Sequence, residues 1–196
     1  MKLVLCDFDG TITKKDSLAD FVQYAIGKPM YYMGLLKLSP ILLAYYIGAI
    51  PNNTAKEKLI THFFEKWNAT DFQKLADEYS LNRLESIIRI KAMNRIRWHQ
   101  QQGDKIVIIS ASIECWLKAW CKKNRLDLIA TELKINNNKL TGKFSTPNCY
   151  GIEKVNRIRE SYDLSRYEYI YAYGDSRGDK ELFAIADECY YRPFRD

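Results

Sequence analysis

Two aspartates one residue apart, Asp7 and Asp9, directly follow the first apolar stretch of this 196-residue chain. The apolar run over residues 2–6 predicts a short buried strand of a parallel sheet. In an extended chain, residues two apart face the same side, so both carboxylates would face one pocket beyond that strand. Like charges this close repel each other, so we expect a divalent cation with oxygen ligands beside them. Because Gly10 lets the backbone approach an anion closely, this stretch is a candidate phosphate and magnesium site.

Further residues with suitable chemistry occur later in the chain. Ser110 directly follows a β-branched run that is typical of a central strand. Lys154 lies at the start of a predicted helix, and Asp175 and Asp179 follow another predicted strand. Singly, these residues could be a turn hydroxyl, a solvated lysine, and a polar turn with a helix N-cap. Because the carboxyl ends of parallel strands meet at one edge of a sheet, the set together predicts a single site there.

The order of the predicted elements indicates the fold class. Residues 14–85 have helical patterns, whereas strands and helices alternate from residue 105 onward. Such alternation implies right-handed crossovers and a sheet with helices on both faces. We therefore predict an α/β fold with a doubly wound, mainly parallel, Rossmann-like sheet and an inserted all-helical cap. Residues 1–13 and 86–196 would form the catalytic core, and residues 14–85 the cap.

Helix start and stop signals give more local expectations. Capping boxes that begin at Ser17, Thr54 and Thr70 predict three helix starts in the cap segment. A long amphipathic helix with apolar positions over residues 84–98 is predicted to end before Gly103. Ser112 is a candidate N-cap for the helix that follows the central strand.

Residues 30–50 are the most apolar part of the chain and are interrupted by a single charge, Lys37. The favoured interpretation is a pair of short buried helices, broken at Pro40. Tyrosine pairs near both ends and a length of about 21 residues leave two alternatives open. These are a hairpin that lies on a membrane surface or re-enters the membrane, and a segment that spans the membrane.

Composition narrows the class of protein. The net charge of +6 is modest and no block of basic residues marks a nucleic-acid site. Five scattered cysteines without a C-x-x-C pair, and a chain that starts directly with a strand, favour a reduced cytoplasmic compartment. His62 and His99 are isolated, so we expect ordinary surface or core histidines.

The four motifs, in this order and on these elements, resemble those of the haloacid dehalogenase (HAD) superfamily. The stretch from Asp7 to Thr11 matches its Asp-x-Asp-x-Thr motif, and Ser110, Lys154 and the Asp175/Asp179 pair match the other three. A helical insertion directly after the first motif is similar to the phosphoserine-phosphatase-like branch. The apolar, proline-broken cap segment also resembles a group that dephosphorylates phosphatidylglycerophosphate.

The resemblance implies a role for each motif residue. Asp7 would be the nucleophile that forms an aspartyl-phosphate, and Asp9 the general acid and base. Mg²⁺ would be held by Asp7, the Asp9 carbonyl and Asp175. The phosphoryl group would be bound by Ser110, Ala111, Lys154 and Gly10, and Asp179 would position Lys154 or a metal-bound water.

The substrate stays open. Asp16 stands where phosphoserine phosphatase usually has a glutamate for the substrate amine, and Gly178 replaces the usual asparagine of the fourth motif. A small phosphorylated metabolite is expected, with a lipid phosphate reached through residues 30–50 at the inner face of the membrane as the alternative. A phosphotransferase or a receiver-like phospho-acceptor module shares the same residue types. Oligomeric state and leaving alcohol are not determined by the sequence.

Overall fold

A parallel sheet forms the centre of the computed structural model, which describes residues 1–195. The last residue of the predicted core, Asp196, lies outside the described residues. In chain order the strands are β1 (Leu3–Cys6), β2 (Lys105–Ile113), β3 (Asp127–Thr131), β4 (Leu133–Asn136), β5 (Lys139–Phe144), β6 (Ile170–Gly174) and β7 (Glu188–Tyr191). Strands β4 and β5 form a separate antiparallel hairpin, and the other five pair in parallel in the order β3-β2-β1-β6-β7.

Alternate residues of the central strands pack on opposite faces of this sheet. Leu3 and Leu5 of β1 belong to an apolar cluster on one face, whereas Val4 and Cys6 belong to a cluster on the other. Both faces must therefore be covered by helices, as a near-continuous apolar strand requires. The predicted doubly wound α/β fold is confirmed.

The helices are α1 (Ser17–Ile26), α2 (Lys28–Tyr46), α3 (Asn52–Phe64), α4 (Ala69–Asn82), α5 (Ile90–Gln101), α6 (Lys118–Lys123), α7 (Ile152–Ser161) and α8 (Lys180–Phe183). The first four follow β1 without an intervening strand. They are joined to the sheet domain through the larger apolar cluster, in which Phe21 of α1 stacks on Trp116 with ring centroids 4.7 Å apart. The division into a cap of residues 14–85 and a core stays a prediction.

The predicted helix starts are displaced by a few residues. Asp16, not Ser17, is the N-cap of α1, and its side chain accepts a hydrogen bond from the Ala19 amide. Helix α4 is capped by Asn68 rather than Thr70, and α3 begins directly after Pro51. For α1 the reason is that Ser17 is buried, and its hydroxyl donates to Asp9 instead of capping its own helix.

The prediction of two buried helices broken at Pro40 is wrong. Helix α2 runs without interruption through Pro40, and Gly34 and Leu38 are its only buried residues. A proline inside a helix leaves one carbonyl without its donor. Here that carbonyl belongs to Leu36, whose side chain is 75% exposed, so solvent can reach this part of the helix. Among the described residues, no helix combines the length and the apolar character that crossing a membrane requires.

Two further expectations need correction. The long helix predicted up to Gly103 is interrupted, because a short 3₁₀ turn over Leu84–Ile87 precedes α5 and Ile88 pairs with Thr13. Ser112 does not cap a helix, because β2 continues to Ile113 through an irregularity in its pairing with β3.

Candidate active site

The site lies at the carboxyl ends of β1, β2 and β6, three adjacent strands of the sheet. Chain connections leave β1 toward β2 on one side and reach β6 and β7 on the other, so the strand order reverses between β1 and β6. Open α/β sheets bind their ligands at such a reversal. Asp7 directly follows β1, and its amide donates a 2.9 Å hydrogen bond to the carbonyl of Tyr173 in β6.

A buried network of charges centres on Lys154, which α7 carries into the site. Its Nζ donates to Oδ1 of Asp7 at 2.6 Å and to Oδ1 of Asp179 at 2.7 Å. The second Asp7 oxygen accepts a 2.9 Å hydrogen bond from the hydroxyl of Thr11. All four residues are buried. Asp7 is therefore held in one orientation by a cation and a hydroxyl, as a positioned nucleophile would be.

The pKa values in this network reflect burial and mutual charge. Burial raises the pKa of Asp7 to about 6, although the Lys154 charge acts in the opposite direction. Burial would lower the pKa of Lys154, but the charges of Asp7 and Asp179 outweigh it and raise that pKa. For Asp179, Lys154 outweighs burial and the pKa is lowered. Lys154 and Asp179 thus stabilise each other's charged forms, and Lys154 offsets only part of the cost of burying the Asp7 carboxylate.

Carboxylate oxygens of Asp7, Asp175 and Asp179 lie within 4.8 Å of one another. Asp175 follows β6 directly, and a side chain at Gly10 would put its Cβ 2.6 Å from Oδ2 of Asp175. Glycine with a positive φ at position 10 therefore keeps this space open. Mg²⁺ takes oxygen ligands that include one or two carboxylates, so these residues fit this cation.

The Asp9 carboxylate faces a different partner. It accepts hydrogen bonds from the Ser17 amide at 2.7 Å and the Ser17 hydroxyl at 3.1 Å. That hydroxyl also lies 2.7 Å from Oγ of Ser112 and accepts from the indole of Trp116 at 3.3 Å. Burial and the charge of Asp16 raise the pKa of Asp9 to about 7. Asp9 is thus poised to take and release a proton near neutral pH.

Ser110 and Ala111 lie at the irregular end of β2, where the register with β3 shifts. Ser110 is buried, and its hydroxyl accepts a 3.0 Å hydrogen bond from the Ser112 amide. The Ala111 carbonyl leaves the regular ladder and accepts from the Thr131 hydroxyl at 3.2 Å. The departure from regular pairing at this end of the strand re-aims its polar groups.

Comparison with known proteins identifies the family of the chain. Residues 4–184 match the model of the haloacid dehalogenase-like hydrolases. The chain belongs to the HAD family. It is 34% identical over 195 residues to protein CicA of Caulobacter vibrioides, which covers 98% of the chain and 86% of that protein. It is 26% identical over 184 residues to a probable phosphatase of Mycobacterium tuberculosis, covering 88% of the chain and 62% of that protein.

Solved structures share the fold of the chain. A substrate-bound phosphoserine phosphatase superposes on the chain with a TM-score of 0.69 at 16% identity, and the match covers 96% of this chain and 84% of that one. At this identity the match concerns the fold. The chain is accordingly a HAD hydrolase with a phosphoserine-phosphatase-like fold, as its motifs predict.

The HAD motif residues occupy one region at the carboxyl ends of the strands. Asp7, Lys154, Asp175 and Asp179 come together, whereas the Asp9 carboxylate is held by Ser17. Asp179 joins the carboxylate group, and it also forms the ion pair with Lys154 that its supporting role would require. Asp16, the proposed selector of the substrate, is exposed and caps α1.

Lys56 is a residue that the sequence analysis missed. It belongs to α3, and its Nζ donates a 3.1 Å hydrogen bond to the carbonyl of Ala111. Burial lowers the pKa of Lys56, and the charges of Asp16 and Asp9 act against this. No local pattern distinguishes it from the exposed Lys58 on the same helix. Only the tertiary packing of α3 brings its charge into the site.

Proposed function

We propose that the protein is a Mg²⁺-dependent phosphomonoesterase that acts through an aspartyl-phosphate. The observation that carries this proposal is the arrangement of two aspartates with separate partners. Asp7 is fixed by Lys154 and Thr11, whereas Asp9 is held by Ser17 with its pKa raised to about 7. A positioned carboxylate and a neighbouring acid are what a double displacement at phosphorus requires.

The reaction would proceed in two steps. A carboxylate oxygen of Asp7 attacks phosphorus, the bond from phosphorus to the ester oxygen breaks, and Asp9 gives its proton to the leaving oxygen. Water then attacks the phosphorus of the aspartyl-phosphate and gives a proton to Asp9. The bond to Asp7 breaks, and inorganic phosphate leaves. Both protonation states of Asp9 are accessible near neutral pH, as this sequence of steps needs.

The phosphoryl oxygens need donors and positive charge during both steps. Lys154 donates a hydrogen bond to Asp7. At the same strand ends lie the Ser110 hydroxyl and the backbone of Ala111 and Gly10. Such preorganised groups stabilise the charge that spreads over the transferred phosphoryl group. Asp179 would keep the Lys154 ammonium in place through its 2.7 Å ion pair.

Mg²⁺ is the expected cofactor. Asp7, the Asp9 carbonyl and Asp175 would hold it, with Asp179 close enough to take part. When bound, the ion would offset repulsion between the anionic nucleophile and the anionic phosphate. Arg195 contacts the Asp175 carboxylate, so this side chain would have to move or share that oxygen.

A small phosphorylated metabolite in the cytoplasm is the expected substrate. Lys56 extends from α3 to the Ala111 carbonyl and adds a positive charge beyond the phosphate-binding residues, which favours a leaving alcohol with an oxygen-rich or anionic group. The second candidate is a lipid phosphate. It is favoured by the exposed apolar side chains of α2, which a metabolite phosphatase does not need.

Phosphate release from a panel of esters would test the proposal. The panel pairs phosphoserine and other small phosphomonoesters with phosphatidylglycerophosphate and lysophosphatidate, with and without Mg²⁺. We expect Mg²⁺-dependent release that is lost in Asp7→Asn and retained in Asp163→Asn, which changes an exposed aspartate. Wild-type turnover in Asp7→Asn would overturn the proposal.

A further inference from the structure

One helix presents an unusual concentration of exposed apolar side chains. Eight of the sixteen large apolar residues that are exposed in the described part of the chain lie between positions 30 and 47. Leu36 is 75% exposed and Tyr46 is 86% exposed. We call this set the α2 surface; its members are Met30, Tyr32, Met33, Leu36, Leu43, Tyr45, Tyr46 and Ile47. A concentration of exposed apolar side chains of this kind is typical of an interaction site.

The opposite side of α2 is already packed. A Cβ at Gly34 would lie 2.3 Å from the ring of Phe63, which shows how closely α2 and α3 approach. Tyr31 stacks on the same phenylalanine, and Leu38 is buried. Helix α2 is therefore apolar on both sides, a pattern that is normal for helices with apolar surroundings all round. In this chain only one side has such surroundings.

The charges near α2 distinguish between two molecules that could cover the α2 surface, namely a second copy of this chain and an anionic lipid bilayer. No Asp or Glu occurs from residue 21 to residue 56, whereas Lys28 and Lys37 lie on α2 itself. In a two-fold dimer formed through the α2 surface, the lysines of both copies would be brought into one interface, and residues 21–56 would supply no acidic side chain to pair with them. An anionic lipid surface takes up apolar side chains and attracts lysines at the same time. Tyrosines at both ends of the helix also suit the lipid–water interface.

The α2 surface is connected to the catalytic edge. Tyr45, at the end of α2, accepts a 3.1 Å hydrogen bond from Asn52, and Asn52 accepts one of 3.1 Å from Asn148. Asn148 in turn accepts from Thr131 at the carboxyl end of β3. Lys56, one turn further along α3, reaches Ala111. A surface that contacts α2 would therefore lie beside the entrance to the site.

We propose that the α2 surface docks onto the face of an anionic lipid bilayer, with the helix in the interface and not across it. Docking would place the catalytic edge at the level of the lipid headgroups. Its use in catalysis rests on the proposed phosphatase function, but vesicle binding itself does not.

Vesicle sedimentation of the full chain tests the proposal. The wild type is mixed with phosphatidylcholine vesicles with and without phosphatidylglycerol, and hydrolysis of p-nitrophenyl phosphate is measured in the same samples. We expect partition into the anionic vesicles to fall about tenfold in the Leu36→Ser/Leu43→Ser variant. A similar fall is expected in Lys28→Gln/Lys37→Gln. Ile90→Ser/Ile135→Ser removes equally exposed apolar groups elsewhere and should bind like the wild type.

The two readouts separate the two proposals. Turnover without binding to either kind of vesicle would overturn the docking proposal and leave the phosphatase assignment intact. Binding to the anionic vesicles without turnover would support the docking proposal and overturn the phosphatase assignment. Size-exclusion chromatography tests whether a second copy of the chain covers the α2 surface instead. A dimer that becomes monomeric in Leu36→Ser/Leu43→Ser would show this and would overturn the docking proposal.

Discussion

Lys154 and Asp7 form an ion pair of 2.6 Å in which both side chains are almost fully excluded from solvent. Removal of one charge from a buried pair leaves the other uncompensated. We expect Lys154→Met to lower the free energy of unfolding by about 3 kcal/mol. Loss of a donor to the phosphoryl oxygens should also reduce kcat by about a hundredfold or more. Urea unfolding and steady-state phosphate release measure the two effects, with Lys118→Met as an exposed control. An unchanged kcat would contradict the role of Lys154.

Lys56 should matter for substrate binding and not for stability. Burial lowers its pKa, so Lys56→Met removes a charge that is costly to bury and should leave the unfolding midpoint unchanged or higher. The KM of the preferred ester should rise about tenfold, which corresponds to about 1.4 kcal/mol of lost binding. Lys58→Met on the exposed side of the same helix is the matched control. A stable variant with wild-type KM for every ester would show that Lys56 does not contact substrate.

The hydroxyl of Ser17 joins Asp9 to Ser112 and Trp116, so it should act as a positioning residue. In Ser17→Ala the Asp9 carboxylate keeps only the amide hydrogen bond. We expect kcat to fall by about 10- to 150-fold with KM within a factor of two, since loss of one charge-assisted hydrogen bond is worth about 1.5–3 kcal/mol.

Ser80→Ala provides the control for Ser17, because Ser80 is also buried and its hydroxyl accepts from the Trp120 amide, away from the site. It should lower stability by about 1 kcal/mol and leave kcat unchanged. If both serine variants lose activity in parallel with stability, the effect of Ser17 is structural only.

His99 gives a prediction for stability against pH. It is buried between Asp104 and the hydroxyl of Tyr173, each 2.8 Å from a ring nitrogen. Burial lowers the pKa of His99, although Asp104 acts against this and the nearby Arg95 and Lys2 add to it. The folded chain therefore binds a proton less readily than the unfolded chain. Stability should be complete above the unfolded pKa of about 6.5 and decrease as the pH falls below it.

Urea unfolding at pH 7.5 and 5.5 checks this sign. The wild type should lose more stability between these pH values than His99→Gln, in which the titrating ring is absent. Carboxylates titrate in both proteins, so the difference between the two losses of stability gives the contribution of His99. An equal loss in the two proteins would show that His99 does not titrate differently on folding.

The sequence predicts those parts of the site that follow directly from strand ends. Asp7 and Asp175 directly follow strands of the sheet, and Ser110 lies where the regular pairing of β2 ends. The apolar runs before them indicate these strands without knowledge of the packing. The parallel arrangement then brings the strand ends together. For the same reason the doubly wound fold could be predicted from alternating strand and helix patterns alone.

Residues whose role depends on contacts between distant segments could not be predicted. Ser17 resembles a helix cap in sequence, but burial against Ser112, 95 positions away, gives its hydroxyl other partners. Lys56 is one of two lysines in α3, and no local pattern distinguishes it from Lys58. Helix α2 was predicted to break because Pro40 is costly in a buried helix, whereas the observed helix is exposed there and tolerates it.

The measurement that tests the central claim most directly is detection of phosphate on Asp7 during turnover. Rapid acid quench of the Mg²⁺-loaded enzyme with an active ester, followed by peptide mass spectrometry, should show a phosphoryl group on Asp7 that forms and decays at the rate of turnover. Asp7→Asn should show none. Phosphate release at the wild-type rate without any phosphorylated Asp7 would contradict the aspartyl-phosphate mechanism. A phosphoryl group that persists on Asp7 without release would instead indicate a phospho-acceptor module.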